Sequence, residues 1–193
     1  MPSPLATATR MVSRKGTTFT IQPAGASFLG VQSFPAGATR GETRTFLSTL
    51  RCAGASPVAS GGIVLEPGSG HYYLVSAVTG MYLAGVAQLS ELTLLKTNVV
   101  ATVKRLVAGS WSTVASGVRC AIVTQPIGDP SDKSIVVQGY KGTNIVAWGH
   151  MQTSVGLAQG DQVSDGTRVY LVSHDLNLSL MAGITISRLD LRT

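Results

Sequence analysis

Few side chains in this sequence have the types and spacing that catalysis requires. The three histidines, His71, His150 and His174, lack the short spacings that are typical of metal ligands. Several of the nine acidic residues stand next to Gly, as Asp161 and Asp165 do, and Asp in that setting favours turns more than acid–base chemistry. The titratable residues therefore predict neither a metal site nor an acid–base pair.

The motifs for a nucleophile or for phosphate binding are incomplete. Residues 68–70 (GSG) are shorter than the G-x-S-x-G turn that presents a serine nucleophile, and they fall in a predicted hairpin turn. Residues 138–143 (QGYKGT) place a lysine between glycines but lack the strand–loop–helix context of a P-loop. Cys52 and Cys120 have no zinc-ligand spacing and predict buried free thiols of a protein assembled in a reducing cytoplasm. We expect a protein that is not an enzyme and needs no cofactor.

The charge distribution limits the partners. The net charge is +6, and no acidic residue precedes Glu42, whereas Arg10, Arg14, Lys15 and Arg40 do. This excess fits either contact with an acidic partner such as nucleic acid or a basic segment that only aids solubility. The basic residues do not form the clustered stripe of a dedicated DNA-binding protein. We therefore expect weak, non-specific contact with DNA, detectable only at low salt.

The composition indicates a chain whose surface is covered by neighbours. Charged residues make up 12% of the chain and hydrophobic residues 44%, so much of the surface is weakly polar. This favours a homo-oligomer, and the alternative is a monomer with a surface rich in Ser and Thr. The N-terminus has no apolar secretory core, and no run approaches the roughly 18 apolar residues of a membrane span. No membrane association is expected.

An internal duplication organises the chain. Residues 61–76 (GGIVLEPGSGHYYLVS) and 160–173 (GDQVSDGTRVYLVS) share a small residue pair, a Gly-rich turn and the tetrapeptide Tyr-Leu-Val-Ser. Both segments predict a β-hairpin. Two further pairs of segments correspond, namely Thr45–Cys52 with Asn144–Met151 and Leu92–Thr97 with Arg188–Thr193. The sequence thus predicts two similar modules.

Hydrophobic residues alternate with polar ones almost throughout, which predicts short antiparallel strands. Five or six strands in each module would close into a small barrel without exposed edges. We therefore predict an all-β fold of two tandem small antiparallel β-barrels related by internal duplication. Residues 17–97 would form the first barrel and residues 98–193 the second. Residues 1–16 would form an extended, mobile arm.

Three segments stand out from this regular pattern. Residues 86–95 could be strand or helix, and residues 108–115 predict a turn that contains Trp111. Residues 127–142 form a longer connection with turn markers at both ends, which predicts a projecting hairpin or flap in the second module.

Two segments of the second module form a distinctive pattern, residues 158–173 (AQGDQVSDGTRVYLVS) and residues 118–126 (VRCAIVTQP). Through them the second module resembles the head-closure, or head–tail joining, proteins of tailed phages. Residues 158–173 are similar to the C-terminal signature of that family, and residues 118–126 to the segment that precedes it. The resemblance covers residues 98–193, whereas residues 17–97 form a degraded copy with Gly62 where the pattern has Asp. The residues that match the signature are Gly160, Asp161, Val163, Tyr170 and Val172.

The resemblance implies a virion protein, assembled in the host cytoplasm, that forms a ring in the phage neck. Such a ring lies beneath the portal and adaptor proteins, narrows the channel that holds packaged DNA and supports the tail. Residues 127–142 would then line the channel with Lys133 and Lys141 facing phosphate, or would pack on a neighbouring subunit. Six copies would present twelve similar barrels to a twelve-fold portal and six-fold features to the tail.

Other functions are compatible with the same residues. The protein could be a tail terminator, a minor capsid protein or a decoration protein of the virion. A single-stranded nucleic-acid-binding protein of the OB type is a further alternative. It would need a basic groove with many aromatic side chains, and only 6% of the residues are aromatic.

Overall fold

The structure is a computed structural model that describes residues 3–34, 47–123, 146–176 and 183–192. The chain begins with helix α1, Pro4–Lys15. The Ala6 N–H donates to the Ser3 side chain at 3.2 Å, and Pro4 fits the first turn because it needs no intrahelical partner. The prediction of an extended arm is therefore wrong for residues 4–15. Val12 is the one residue of this helix that is buried, so no periodic apolar pattern revealed it.

Six antiparallel strands form the first barrel. They are β1 (Thr17–Gln22), β2 (Ser27–Ser33), β3 (Leu47–Ala53), β4 (Ile63–Glu66), β5 (His71–Leu83) and β6 (Val86–Lys96). The order around the closed barrel is β1-β2-β3-β6-β5-β4. Helix α1 packs against β2, β3 and β6 of this barrel.

The second barrel has the same construction. Its strands are β7 (Val99–Val107), β8 (Ser110–Val123), β9 (Val146–Gln152), β10 (Gln162–Ser164), β11 (Val169–Leu176) and β12 (Ile184–Arg192), with a short 3-10 helix at Thr153–Val155. The order around the closed barrel is β7-β8-β9-β12-β11-β10. Each strand therefore corresponds to the strand six earlier in the chain. The prediction of an all-β fold with two tandem antiparallel barrels is confirmed.

The repeated tetrapeptide occupies equivalent places in the two barrels. Tyr73 of β5 pairs with Val64 of β4, and Tyr170 of β11 pairs with Val163 of β10. All four side chains are buried. The sequence similarity of the two hairpins thus reflects a shared register and a shared position in the core.

The residue that opens each hairpin is a glycine with a positive φ. Gly61 has φ +84° and Gly160 has φ +86°, a region that residues with a Cβ rarely adopt. The Gly61 N–H donates to the Val75 carbonyl at 2.7 Å, and the Gly160 N–H to the Val172 carbonyl at 2.8 Å. Both hairpins therefore start with the same backbone hydrogen bond.

A β-bulge lies at the last residue of each tetrapeptide, Ser76 or Ser173, and corrects one predicted correspondence. The Ser76 hydroxyl donates to the Thr93 carbonyl at 3.1 Å, and the Ser173 hydroxyl donates to the Arg188 carbonyl at 3.4 Å. Thr93 therefore corresponds to Arg188, whereas the sequence comparison aligned Leu92 with Arg188. The one-residue error arose because the alternation of apolar residues does not fix register at a bulge.

The two cores place their close glycine–leucine contacts on different strands. In the first barrel Leu50 packs over Gly30, where an added Cβ would lie 2.5 Å from the leucine Cδ1. In the second barrel Leu189 packs over Gly149, where an added Cβ would lie 2.8 Å from the leucine Cδ1. Glycine stands on β2 in the first case and on β9, the counterpart of β3, in the second. Each barrel therefore fills its interior with its own combination of side chains.

The structure decides between the alternatives for residues 86–95 and corrects residues 108–115. Residues 86–95 belong to strand β6 and are not helical. The predicted turn over residues 108–115 is too long, because Ser110 already begins β8 and Trp111 lies within that strand. The turn consists of Ala108 and Gly109, both with positive φ, which is the two-residue geometry preferred in hairpins. The predicted flap, residues 127–142, lies outside the described residues.

Candidate functional site

The residues that match the phage signature lie at the β10–β11 hairpin. Gly160 provides the positive φ that precedes β10, as described above. Val163, Tyr170 and Val172 are at most 3% exposed and belong to the core of the second barrel. The roles of these four residues are therefore structural. Asp161 differs, because its carboxylate is charged and buried.

Asp161 forms an ion pair with Arg105 of β7. Arg105 Nε donates to Asp161 Oδ1 at 2.8 Å, and Arg105 Nη2 donates to Asp161 Oδ2 at 2.7 Å. The Ala158 N–H donates to Oδ2 at 2.9 Å, and Arg105 Nη2 also donates to the Gly156 carbonyl at 2.7 Å. Such two-point pairing of a guanidinium with a carboxylate is among the stronger hydrogen-bonded contacts in proteins. It fastens residues 156–161 to the barrel wall.

The surroundings of the Arg105–Asp161 pair favour a structural role. The hydrogen bonds from Arg105 to Asp161, and secondly the charge of Asp161, raise the pKa of Arg105. Both carboxylate oxygens already accept hydrogen bonds. The carboxylate is therefore held in place as an acceptor for the loop and for Arg105.

Sequence reasoning missed Arg105, although a signal for it exists. Ala101 and Val103 are buried, so alternation along β7 directs residue 105 to the same side of the strand. An arginine in an inward register needs an acidic partner. Asp161 fits this requirement, because it precedes β10, which pairs with β7.

Among the described residues of the first barrel, no ion pair occupies the equivalent corner. Gly62 takes the place of Asp161, and a Cβ at Gly62 would overlap the side chain of Val58. Strand pairing places Pro23 at the position that corresponds to Arg105. The two barrels thus close the same corner differently, with apolar contact in the first and with a charged pair in the second.

Tyr73 and Tyr170 occupy equivalent positions in the two barrels, and their hydroxyl groups lie near the hairpin turns. The Tyr73 hydroxyl donates to Glu66 at 3.4 Å, and the Ser69 hydroxyl donates to the same carboxylate oxygen at 2.6 Å. Burial raises the pKa of Tyr73. In the second barrel a hydrogen bond with Tyr170 raises the pKa of Arg168. Each tyrosine therefore joins the barrel core to a polar turn.

The two cysteines are buried and do not behave as reactive thiols. Burial, and secondly the charge of Asp165, raises the pKa of Cys120 to about 12. Burial also raises the pKa of Cys52. Since the thiolate is the nucleophilic form, both groups are protonated near neutral pH.

The tip of the β5–β6 hairpin presents apolar side chains to solvent. Residues 81–87 are hereafter called ribbon A. Met81, Tyr82, Leu83 and Val86 are 62%, 69%, 55% and 54% exposed. Within the described chain, these residues pair only with the other strand of their own hairpin. Ribbon A contains no charged residue.

The tip of the β7–β8 hairpin has a similar character with basic residues beside it. Residues 105–114 are hereafter called ribbon B. Leu106, Val107 and Trp111 are 54%, 54% and 38% exposed, and Leu106 pairs directly with Trp111. An open depression of about 530 Å³ lies next to this ribbon. Its lining includes Arg105, Leu106, Trp111, Gln159, Leu171 and Arg192.

The remaining predicted candidates do not form a site in the described part of the chain. His71 is exposed and contacts the ring of Tyr73 edge-on, whereas His150 is buried. The described residues contain no group of three or more His, Cys, Asp or Glu side chains placed to hold a metal ion. None of the helices within the described ranges is long and apolar enough to cross a membrane. Lys133 and Lys141 lie outside the described residues.

No protein-family model matches the chain, and neither curated proteins nor solved structures give a significant match.

Proposed function

We propose that this protein is a structural component of a tailed-phage neck, where a ring of copies connects the head to the tail and helps to retain packaged DNA. The observation that carries this proposal is the pair of barrels with identical strand order, each built around the signature-like hairpin. A neck protein needs rigid barrels that form contacts and support loops. The low charge and the apolar ribbons suit a subunit that is covered by neighbours.

The duplication suggests the copy number. Six copies of a two-barrel chain supply twelve barrels of one topology, which can meet a twelve-fold portal or adaptor with quasi-equivalent contacts. The barrels differ at the Arg105–Asp161 corner and in their ribbons, so the same ring has true six-fold features for the tail. We therefore propose six copies, with the two barrels alternating around the channel.

DNA contact belongs to the same proposal. The net positive charge gives the ring a weak, non-specific attraction to phosphate that falls as salt is raised. Lys133 and Lys141 are the proposed channel-facing residues. The OB-type alternative has less support, because each barrel closes with six strands, whereas the OB-fold is built from five.

The test is the location and necessity of the protein in the phage that encodes it. Deleting the gene should yield heads that package DNA, fail to join tails and lose DNA on storage. Electron microscopy and a DNase-protection assay measure these outcomes, and complementation with the intact gene is the control. A reconstruction of the neck should show six copies around the axis. Infectious, tailed particles without the protein would contradict the proposal, and twelve copies would contradict the proposed stoichiometry.

A further inference from the structure

Ribbon A and ribbon B are both two-stranded hairpin tips with exposed apolar side chains, which is unfavourable for a hairpin surrounded by water. Each extends as two strands beyond the flanking strand pairs of its barrel in the described residues, and each exposes apolar side chains. A two-stranded hairpin is only marginally stable in water without further packing. Apolar side chains clustered at a hairpin tip also mark surfaces that bind other proteins. A covering surface would therefore stabilise each ribbon.

We propose that ribbon A of one copy docks in the depression beside ribbon B of a second copy. This contact rests on the proposed ring and specifies which surfaces form it. It is heterologous, because a different surface of each copy takes part. Repetition around an axis uses both ribbons of every copy.

Charge disfavours a contact between two B surfaces. The depression is lined by Arg105 and Arg192, and the neighbouring Lys104 is exposed. Asp161 is the sole acidic residue in the lining, and it already pairs with Arg105. Two B surfaces facing each other would therefore bring like charges together, whereas the uncharged ribbon A brings none.

The chemistry of the ribbon A tip also matches the depression. Leu106, Trp111 and Leu171 provide apolar surface within the lining, and Gln159 and Arg192 provide hydrogen-bond donors. Tyr82 of the copy that supplies ribbon A is amphipathic, so its ring can cover the apolar side chains while its hydroxyl accepts from a donor. Aromatic anchors of this kind contribute a large share of interface affinity. An A–A contact would leave the B surface of both copies uncovered.

Disulfide trapping between copies tests the geometry. One preparation carries Tyr82→Cys and the other carries Gln159→Cys, both at exposed positions. Native Cys52 and Cys120 are buried and compete poorly for the oxidant. The mixture should give a disulfide-linked dimer that neither preparation gives alone. Val100→Cys replaces Gln159→Cys in the control, since Val100 is exposed on the barrel wall outside the depression. Equal trapping in the control, or preferential self-linking of Tyr82→Cys, would overturn the inference.

Charge substitutions test the head-to-tail character. Leu83→Asp and Leu106→Asp should each weaken self-association tenfold or more in sedimentation equilibrium, whereas Val100→Asp leaves it unchanged. Copies with Leu83→Asp keep an intact B surface, and copies with Leu106→Asp keep an intact ribbon A. Their mixture should therefore form dimers and stop there, because one contact is restored and ring closure is not. Circular dichroism confirms that each variant is folded.

The outcomes separate this inference from the proposed function. Rings without A–B trapping would overturn the contact and leave the neck function standing. Specific A–B trapping in a protein that is absent from the virion would overturn the neck function and leave the contact standing. A chain that does not self-associate up to millimolar concentration would overturn the contact.

Discussion

Arg105 and Asp161 are separated by 56 positions in the sequence and form the most fully hydrogen-bonded charged contact among the described residues. The Asp161 side chain is 2% exposed, whereas that of Arg105 is 39% exposed. The carboxylate therefore depends on the protein for its hydrogen bonds, and the guanidinium retains access to water. Removing the Asp161 carboxylate should therefore disturb the loop before β10 more than it disturbs the hydration of the Arg105 guanidinium.

Asp161→Ala should lower the free energy of unfolding by about 2 kcal/mol, since it removes hydrogen bonds made to a buried charged group. The control is Asp190→Ala, which removes a partly exposed pair with Arg188. Pairs of that kind contribute less than about 1 kcal/mol. Urea denaturation of the full chain measures both values. Equal losses for the two variants would show that the buried pair has no special structural role.

The buried thiols give a second expectation at this scale, with a defined pH range. The pKa of Cys120 rises from 9.0 to about 12 on folding because of burial, so the folded state favours the protonated thiol. Its contribution to stability is complete below pH 9 and is lost as the pH rises from 9 towards 12. The free energy of unfolding should therefore fall between pH 9 and 11. A Cys120→Val variant should show a smaller fall, and identical pH profiles would contradict the prediction.

At the scale of the elements, both ribbons end in an Ala-Gly turn. Ala84 and Ala108 have φ of +50° and +49°, and the glycines that follow have φ of +77° and +82°. Alanine in this left-handed region is strained by roughly 1 kcal/mol, and Asn tolerates it better. The β7–β8 strands are long enough to hold the turn in place despite this cost.

Ala108→Asn should stabilise the protein by about 0.5 kcal/mol, because Asn-Gly is the preferred sequence for this turn. Ala115→Asn is the control, since it places the same residue in the strand of the same hairpin, where Asn is disfavoured. Thermal unfolding should give a higher midpoint for the first variant and a lower midpoint for the second. A lower midpoint for Ala108→Asn would contradict the turn geometry.

Elements differ in how well the sequence predicts them. The two hairpins were predictable because Gly61 and Gly160 occupy backbone positions that favour glycine, while the tyrosines pack in the core. Helix α1 was not, because its stability depends on a cap at Ser3 and on the packing of Val12. Strand β8 was missed near Trp111, since its Ser and Thr residues resemble those of a loop. The Arg105–Asp161 pair has no local pattern, as register between distant strands creates it.

At the scale of the whole molecule, the same strand order appears twice with different side chains. The repeated order predicts quasi-equivalent barrels, and the ribbons distinguish their surfaces: ribbon A extends β5 and β6, whereas ribbon B extends β7 and β8. These hairpins are not counterparts in the duplication, because β7 and β8 correspond to β1 and β2. In a ring of such chains each kind of ribbon would therefore repeat once per chain, whereas two identical barrels would repeat every surface twice per chain.

The different placement of glycine and leucine in the two cores bears on how a tandem duplication folds reliably. Neighbouring domains of similar sequence are prone to exchange strands while the chain collapses. If β9 replaced β3 in the first barrel, Gly149 would meet Gly30 and leave a void where Leu50 belongs. If β3 replaced β9 in the second barrel, the side chain of Leu50 would overlap with that of Leu189. The divergence of the two interiors thus discourages each half from recruiting the other's strands.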